Sequence, residues 1–276
     1  PNLGWVDWTQ GEVDDTNDLA CIVGEDTLPD LIIGRLPVNS DAEFISYINR
    51  VIQYESQSYA LPWRNSALLV ADNVPDAAGD FVAVSNSLKN TILTPSGFTS
   101  DTVYLDDYND DGGAARAALI SKINQNAPAI LSYVGHGYVD RWASSSESLF
   151  TTSSIASLTN SVQLPVILSM TCIDGSWYLP TPYYPTSIGE EIIRSVSGTG
   201  TYRGAIAAWA STGFGTVADH DVLERGFLQA TLSEKARLGN ATLSGKFDLF
   251  LSGNGDDVLQ TFVLFGDPAL KIIETP

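Results

Sequence analysis

Four short, predominantly apolar runs punctuate this chain, at residues 67–71, 129–134, 165–170 and 205–208. A strand with one face in water alternates polar and apolar residues, whereas a strand covered on both faces reads as a continuous apolar run. Around these runs, apolar residues recur at helical spacing. Ser40 opens one such segment with Glu43 three residues on, a capping-box pattern, and Phe44, Ile45, Ile48, Val51 and Ile52 are expected to pack that helix on a sheet. Residues 81–93, 114–126, 188–195, 221–238 and 257–265 read as further helices, and 31–34, 102–105 and 270–273 as further strands. Such alternation implies an α/β chain with a largely parallel central sheet and helices on both faces. No stretch has the composition of an interdomain linker, and no internal repeat is present.

Chemistry is expected where the runs end, because the carboxyl ends of parallel strands open on one edge and bring distant loops together. Residues 129–134 lead into Gly135-His136-Gly137, and 165–170 lead into Thr171-Cys172. The chain has two His and two Cys in all, so an imidazole and a thiol at that edge are a candidate base and nucleophile. His136 would take the Cys172 proton and later return it to a leaving group. Gly137 permits close approach to the backbone and leaves its N–H, with that of Cys172, to face a developing oxyanion. The competing reading of Cys172 is a small buried hydrophobe at a strand end. A Cys21–Cys172 disulfide would silence the thiol.

Composition narrows the partners. With 33 acidic and 14 basic residues, the net charge is −19. That surface repels nucleic acid and favours cationic peptides or calcium, besides keeping a protein soluble. No apolar run approaches the ~18 residues of a membrane span, and no basic-then-apolar leader opens the chain. The start at Pro1 reads as a processed or trimmed product. Two Cys are too few for a disulfide framework and match no zinc spacing; no organic cofactor is expected.

Asp107, Asn109 and Asp111 share the spacing of the first half of a calcium loop, but Ala118 stands where a bidentate Glu belongs, which rules out an EF-hand. Structural calcium and a solvated acidic turn before a helix are both open there. Asn254-Gly255-Asp256-Asp257 is a second acidic cluster. His220 reads as a surface residue at a helix start. Trp177, Tyr178, Tyr183 and Tyr184, interspersed with prolines, form an aromatic loop that either borders the Cys172 edge or packs on itself.

Four ordered blocks resemble the gingipain family of cysteine peptidases, family C25 of clan CD. They are Leu28-Pro29-Asp30-Leu31-Ile32-Ile33-Gly34-Arg35-Leu36-Pro37 with the helix ending Val51-Ile52-Gln53-Tyr54-Glu55; Tyr133-Val134-Gly135-His136-Gly137 with Trp142; Leu164-Pro165 leading to Thr171-Cys172-Ile173-Asp174-Gly175; and Phe265-Gly266-Asp267-Pro268-Ala269-Leu270. The resemblance implies one peptidase domain over 1–276 with a caspase–haemoglobinase-like α/β/α sandwich, divisible into a light part at 1–100 and a catalytic part at 101–276. It implies a secreted or cell-surface enzyme that hydrolyses protein or peptide substrates, with His136 and Cys172 on the catalytic positions and Gly137 in the oxyanion hole. Structural calcium also fits it.

The chain departs from the family at two places. The usual first strand, ending in a Val-Gly-Asp-like turn, is not readable in residues 1–17; with it goes the acidic residue that orients the histidine. That piece would have been removed by cleavage or would remain bound as a separate chain, and further domains of a precursor are compatible. Asp15 and Asp18 lie near the position of the pocket-floor Asp of arginine-specific members. The aromatic that covers the pocket after an Ala-Ser-Thr segment is displaced: Ala210-Ser211-Thr212 is followed by Gly213-Phe214, leaving Trp209 or Phe214 to substitute beside Ser211. Three functions are compatible with these features: an endopeptidase preferring basic residues, a sortase-like transpeptidase, and an inactive peptidase fold kept as a binding module.

Overall fold

The computed structural model describes residues 6–7, 12–13, 29, 31–73, 77–143, 148–178, 182–253 and 255–273. β1 (Val6–Asp7) and β2 (Glu12–Val13) pair antiparallel, apart from the main sheet. That sheet has six strands: β3 (Ser66–Ala71), β4 (Thr99–Tyr104), β5 (Ile130–Val134), β9 (Val166–Met170), β10 (Ala207–Ser211) and β11 (Phe262–Phe265), in the spatial order β11-β10-β9-β5-β3-β4. All neighbours are parallel except β11, which runs antiparallel on β10. Apart from Ser66, every residue of β3, β5, β9 and β10 is buried, as their apolar runs require. Strands from both sides of residue 100 share this sheet and one hydrophobic core.

The crossovers fix where the helices lie. From β3 the chain reaches β4 through α2 (Phe81–Leu88), then doubles back past β3 to β5 through α3 (Gly112–Asn126). Right-handed crossovers in opposite directions put those two helices on opposite faces. α4 (Ile188–Arg194), between β9 and β10, lies with α3 and α1 (Asp41–Glu55), while α5 (Val217–Ser233) and α6 (Leu238–Ser252) share the α2 face. Strand order reverses between β3 and β5, so the loops leaving their carboxyl ends part and open a crevice there. A small antiparallel sheet, β6 (Gly137–Tyr138), β7 (Arg141–Trp142) and β8 (Phe150–Thr151), follows β5 directly.

Several sequence expectations need correction. The Ser40 cap is formed, its Oγ accepting the Glu43 N–H at 3.3 Å, but α1 turns a different face to the protein. Tyr47, Arg50, Val51 and Tyr54 are buried, while Phe44, Ile45, Ile48 and Ile52 are exposed. Polar tips decide this: the Tyr47 hydroxyl donates to the Ile206 carbonyl at 3.2 Å and accepts the Asp267 N–H at 2.7 Å, and the Arg50 guanidinium donates to the Ala205, Ser195 and Ile193 carbonyls. Burial lowers the Arg50 pKa to about 10.

Residues 257–265 are not one helix. α7 (Asp256–Thr261) stops at Phe262, and Phe262–Phe265 becomes strand β11 because it pairs with β10. Residues 31–34 and 270–273 form no strand; Arg35 alone bridges Phe265, and the Pro268 and Leu270 carbonyls instead accept the N–H groups of Gly239 and Leu238 at the start of α6. The helix expected at 221–238 is α5, which begins at Val217, and α6 was not expected at all. These two helices cross at paired glycines: a Cβ on Gly226 would stand 2.7 Å from the Gly245 Cα, an approach that two glycines alone permit.

Candidate active site

β5 and β9 are parallel and in register, with Val134 opposite Met170. Parallel neighbours lie about 4.8 Å apart. His136 and Cys172 each stand two residues beyond that pair, so their loops leave the same sheet edge side by side. Gly137 seats against the second loop: a Cβ there would press on the Thr171 side chain and stand 3.0 Å from the Cys172 carbonyl oxygen. His136, Gly137 and Cys172 are all half-buried. Cys172 Sγ lies 3.9 Å from the Gly215 carbonyl oxygen.

The His136 backbone is held from two neighbouring strands. Asp72, fully buried just past β3, accepts the His136 N–H on Oδ2 at 3.1 Å and the Asn73 N–H on Oδ1 at 2.9 Å. The His136 carbonyl accepts the Tyr133 hydroxyl at 2.5 Å and the Ala143 N–H at 2.7 Å. Phe81, the first residue of α2, meets the imidazole edge to face, with ring centres 5.3 Å apart. The crevice at the strand-order reversal is therefore bridged by Asp72, an acid that the sequence marks no more strongly than as the residue ending a buried strand.

The Cys172 loop is equally constrained. Ile173 adopts φ +49°, a left-handed conformation that costs a β-branched residue of order 1–3 kcal/mol. It is held by its N–H on the Gly213 carbonyl at 3.0 Å and by the Gly175 N–H on the Ser211 carbonyl at 2.8 Å. Asp174 is fully buried beneath it. Its Oδ2 accepts the Trp142 indole N–H at 2.9 Å and the Ser169 hydroxyl, and burial pushes its pKa up to about 7. Neither Asp174 nor its partner Trp142 carries a sequence signal for this contact beyond sitting near Cys172 and His136.

The other candidate residues divide. Phe214 is 45% exposed and, with Gly215, Thr216, Asp219, Asp257 and Val258, lines an open cleft that reaches the Cys172 loop at Gly215. Trp209 does not cover a pocket: it is fully buried in β10, stacked on Phe227 and edge-on to Phe262. Ser211 is buried too, its hydroxyl donating to the Gly213 carbonyl at 2.9 Å, so it shapes the turn rather than meeting a ligand. Asp15, Asp18 and Cys21 lie outside the described residues.

The acidic loop is built as a helix start. Asn109 and Asp110 both have positive φ, and Asp111 caps α3, its Oδ1 accepting the Ala114 N–H at 2.9 Å. Asp107, Asn109 and Asp111 are exposed, and among the described residues no group of three His, Cys, Asp or Glu is placed to hold a metal ion. His220 is not a surface residue. Because α5 starts at Val217, His220 turns inward against Gly215, beside the Met170 carbonyl and Phe262, and burial lowers its pKa to about 4.

Comparison with known proteins agrees with this architecture. Residues 7–273 match the description of peptidase family C25. Gingipain R2 of Porphyromonas gingivalis is 27% identical over 265 residues, covering 91% of this chain and 34% of the relative. Gingipain R1 of the same species is also 27% identical over 265 residues, covering 91% of this chain and 25% of the relative. The crystal structure of the Arg specific cysteine proteinase gingipain R superposes with a TM-score of 0.82 at 25% identity, over 97% of this chain and 61% of that one. The complex of P. gingivalis RgpB pro- and mature domains superposes with a TM-score of 0.81 over 97% of this chain and 62% of that one. A family match that runs through all six strands of the sheet and both loops at its edge leads to one conclusion: the chain belongs to peptidase family C25, the gingipain-like cysteine peptidases.

Proposed function

We propose that this chain is the peptide-hydrolysing part of a cysteine endopeptidase, with Cys172 as nucleophile and His136 as general base and then acid. What supports it most directly is the register of β5 with β9, which brings a half-buried imidazole and thiol to adjacent strand ends. His136 accepts the thiol proton as sulfur adds to the scissile carbonyl carbon and the C=O electrons move onto oxygen. The Gly137 and Cys172 N–H groups donate to that oxyanion. Its collapse expels the amine, which takes the proton from His136 and leaves a thioester on Cys172. Water, deprotonated by His136, then adds to the thioester, and collapse releases the acid as the thiolate regains its proton.

A basic side chain before the cleaved bond suits the cleft beside Cys172, where Asp219 and Asp257 stand near the exposed ring of Phe214. The net charge of −19 acts in the same sense at long range, and one solved relative is described as Arg specific. Protein or peptide substrates met outside the cell, and a separate pro-segment in the precursor, follow from the same reading; a solved relative exists as a complex of pro- and mature domains. Among the described residues no helix is long and apolar enough to cross a membrane.

The test is a peptide library assayed before and after iodoacetamide, in the presence of an added amine. Cleavage after Arg or Lys is expected, with free-acid products, and it should vanish as the label maps to Cys172. Full activity with Cys172 stoichiometrically alkylated would overturn the assignment, and amine-linked products would make the enzyme a transpeptidase. A Gly137→Ala variant is expected to lose about 10²-fold in kcat/KM, because its Cβ must displace the buried Thr171 side chain and with it the loop carrying Cys172. Steady-state kinetics beside a melting curve separate that loss from unfolding.

A further inference from the structure

Two loops from different strands must hold their reactive groups at a fixed separation, and a buried side-chain contact joins them. Trp142 pairs directly opposite Gly137 in the β6–β7 hairpin, so its indole moves with the His136-Gly137 turn. Asp174 lies two residues beyond Cys172. The indole Nε1 donates to Asp174 Oδ2 at 2.9 Å, with Trp142 and Asp174 both essentially inaccessible to solvent.

Both partners are locked from behind. The Trp142 ring stacks on Tyr133 of β5, centres 4.5 Å apart and planes 8° from parallel, and the Tyr133 hydroxyl donates to the His136 carbonyl. Ala143, at φ +68°, closes the hairpin by donating its N–H to the His136 carbonyl at 2.7 Å and the Tyr133 hydroxyl oxygen at 2.8 Å. On the other side, the Ser169 hydroxyl of β9 donates to the same Asp174 oxygen, and the Asp174 carbonyl accepts the Gly189 N–H at 2.9 Å. Burying a carboxylate is unfavourable unless it is well bonded, and an apolar residue would fill this space without that penalty.

We propose that the Trp142–Asp174 hydrogen bond is a clamp that fixes the spacing of the His136 and Cys172 loops, which makes Trp142 and Asp174 positioning residues. The proposal rests on the dyad reading above. It requires an acceptor oxygen at position 174 and an indole N–H at position 142; bulk alone does not satisfy it. A misplacement of about 1 Å between reacting groups lowers rates by around 10²-fold.

The experiment compares Trp142→Phe, Asp174→Ala, Asp174→Asn and Ser169→Ala with the wild type and with Cys172→Ala, each assayed well below its own melting temperature. Trp142→Phe keeps the ring stack and loses the N–H; it should lower kcat by about 10–100-fold with KM within about twofold. Asp174→Ala should match it, and the double variant should be no worse than either single one, as for two ends of one interaction. Asp174→Asn retains an acceptor and should restore kcat to within about threefold of the wild type; Ser169→Ala, which never reaches the histidine hairpin, should stay in the same range. Wild-type kcat in Trp142→Phe, or a loss in Ser169→Ala as large as that in Trp142→Phe, would overturn the clamp. Failure of the dyad reading looks different, because Cys172→Ala itself would then still cleave.

Discussion

Replacing Cys172 by Ala is expected to lower peptide cleavage by about 10⁴-fold or more while leaving the fold intact. The two halves of that expectation come from different features. Cys172 is half-buried at the rim of the sheet edge, with its sulfur 3.9 Å from the Gly215 carbonyl oxygen, so deleting the sulfur opens no deep cavity. A change of less than about 1 kcal/mol in stability is the usual outcome at such a position. The loop geometry around it comes from backbone bonds of Ile173 and Gly175 to Gly213 and Ser211, none of which involves the thiol. His136→Ala should reach a similar residual rate, and combining the two should lose little more, because the proposed nucleophile and base would act as a unit. Parallel measurement of kcat and of the melting curve checks both halves. Activity of Cys172→Ala within about tenfold of the wild type would remove the covalent mechanism altogether.

The strands that carry the site were readable because burial on both faces leaves a continuous apolar run. Residues 67–71, 129–134 and 165–170 match β3, β5 and β9 to within a residue. Only 102–105 reads as strand around β4, since its first half, Thr99-Ser100-Asp101, sits on the outer edge of the sheet and is polar. β11 reads as helix in sequence because Phe262-Val263-Leu264-Phe265 suits either state, and its pairing with a strand about fifty residues earlier decides the matter. The helix α1 is legible in sequence but its buried face is not. Tyr47, Arg50 and Tyr54 look polar in sequence, yet the Tyr47 hydroxyl and the Arg50 guanidinium meet backbone carbonyls before β10 and after α4, and the Tyr54 ring lies edge-on to Trp63.

The site shows the same division. His136, Gly137 and Cys172 stand at strand ends, where topology alone concentrates loops; the scarcity of His and Cys marks two of them, and Gly137 is marked by following the histidine. Trp142 and Asp174 meet because the β6–β7 hairpin folds back, and Asp72 reaches His136 because β3 lies beside β5, which no local spacing records. His220 went the same way: a shift of four residues in the start of α5 moves it from the surface to the underside of β9.

A stability difference that grows with pH is the expected consequence of a further buried acid, Glu224. It lies on α5 with no exposed surface, facing Ser132 of β5, whose hydroxyl favours the charged form but does not offset the burial. Arg225 offers little relief, being engaged with Asp221 at 2.8 Å, Ser87 at 2.9 Å and Thr91 at 3.1 Å. Burial, reinforced by Asp221, raises the Glu224 pKa from 4.5 to about 8. Below pH 4.5 the group is protonated in both folded and unfolded chains and adds no pH dependence. Between 4.5 and about 8 the unfolded chain releases a proton that the folded one keeps, so stability falls as pH rises, by about 1.4 kcal/mol per unit. Above about 8 the penalty is complete, on the order of 3–5 kcal/mol. Glu224→Gln removes the ionisation but keeps the shape. It should therefore match the wild type near pH 4 and exceed it near pH 9 by several kcal/mol, or roughly 10 °C in Tm. Denaturant melts across that range measure the difference directly. Parallel pH curves for the two proteins would show that the Glu224 carboxyl is already charged in the folded state, stabilised by a neighbour that its buried surroundings do not reveal.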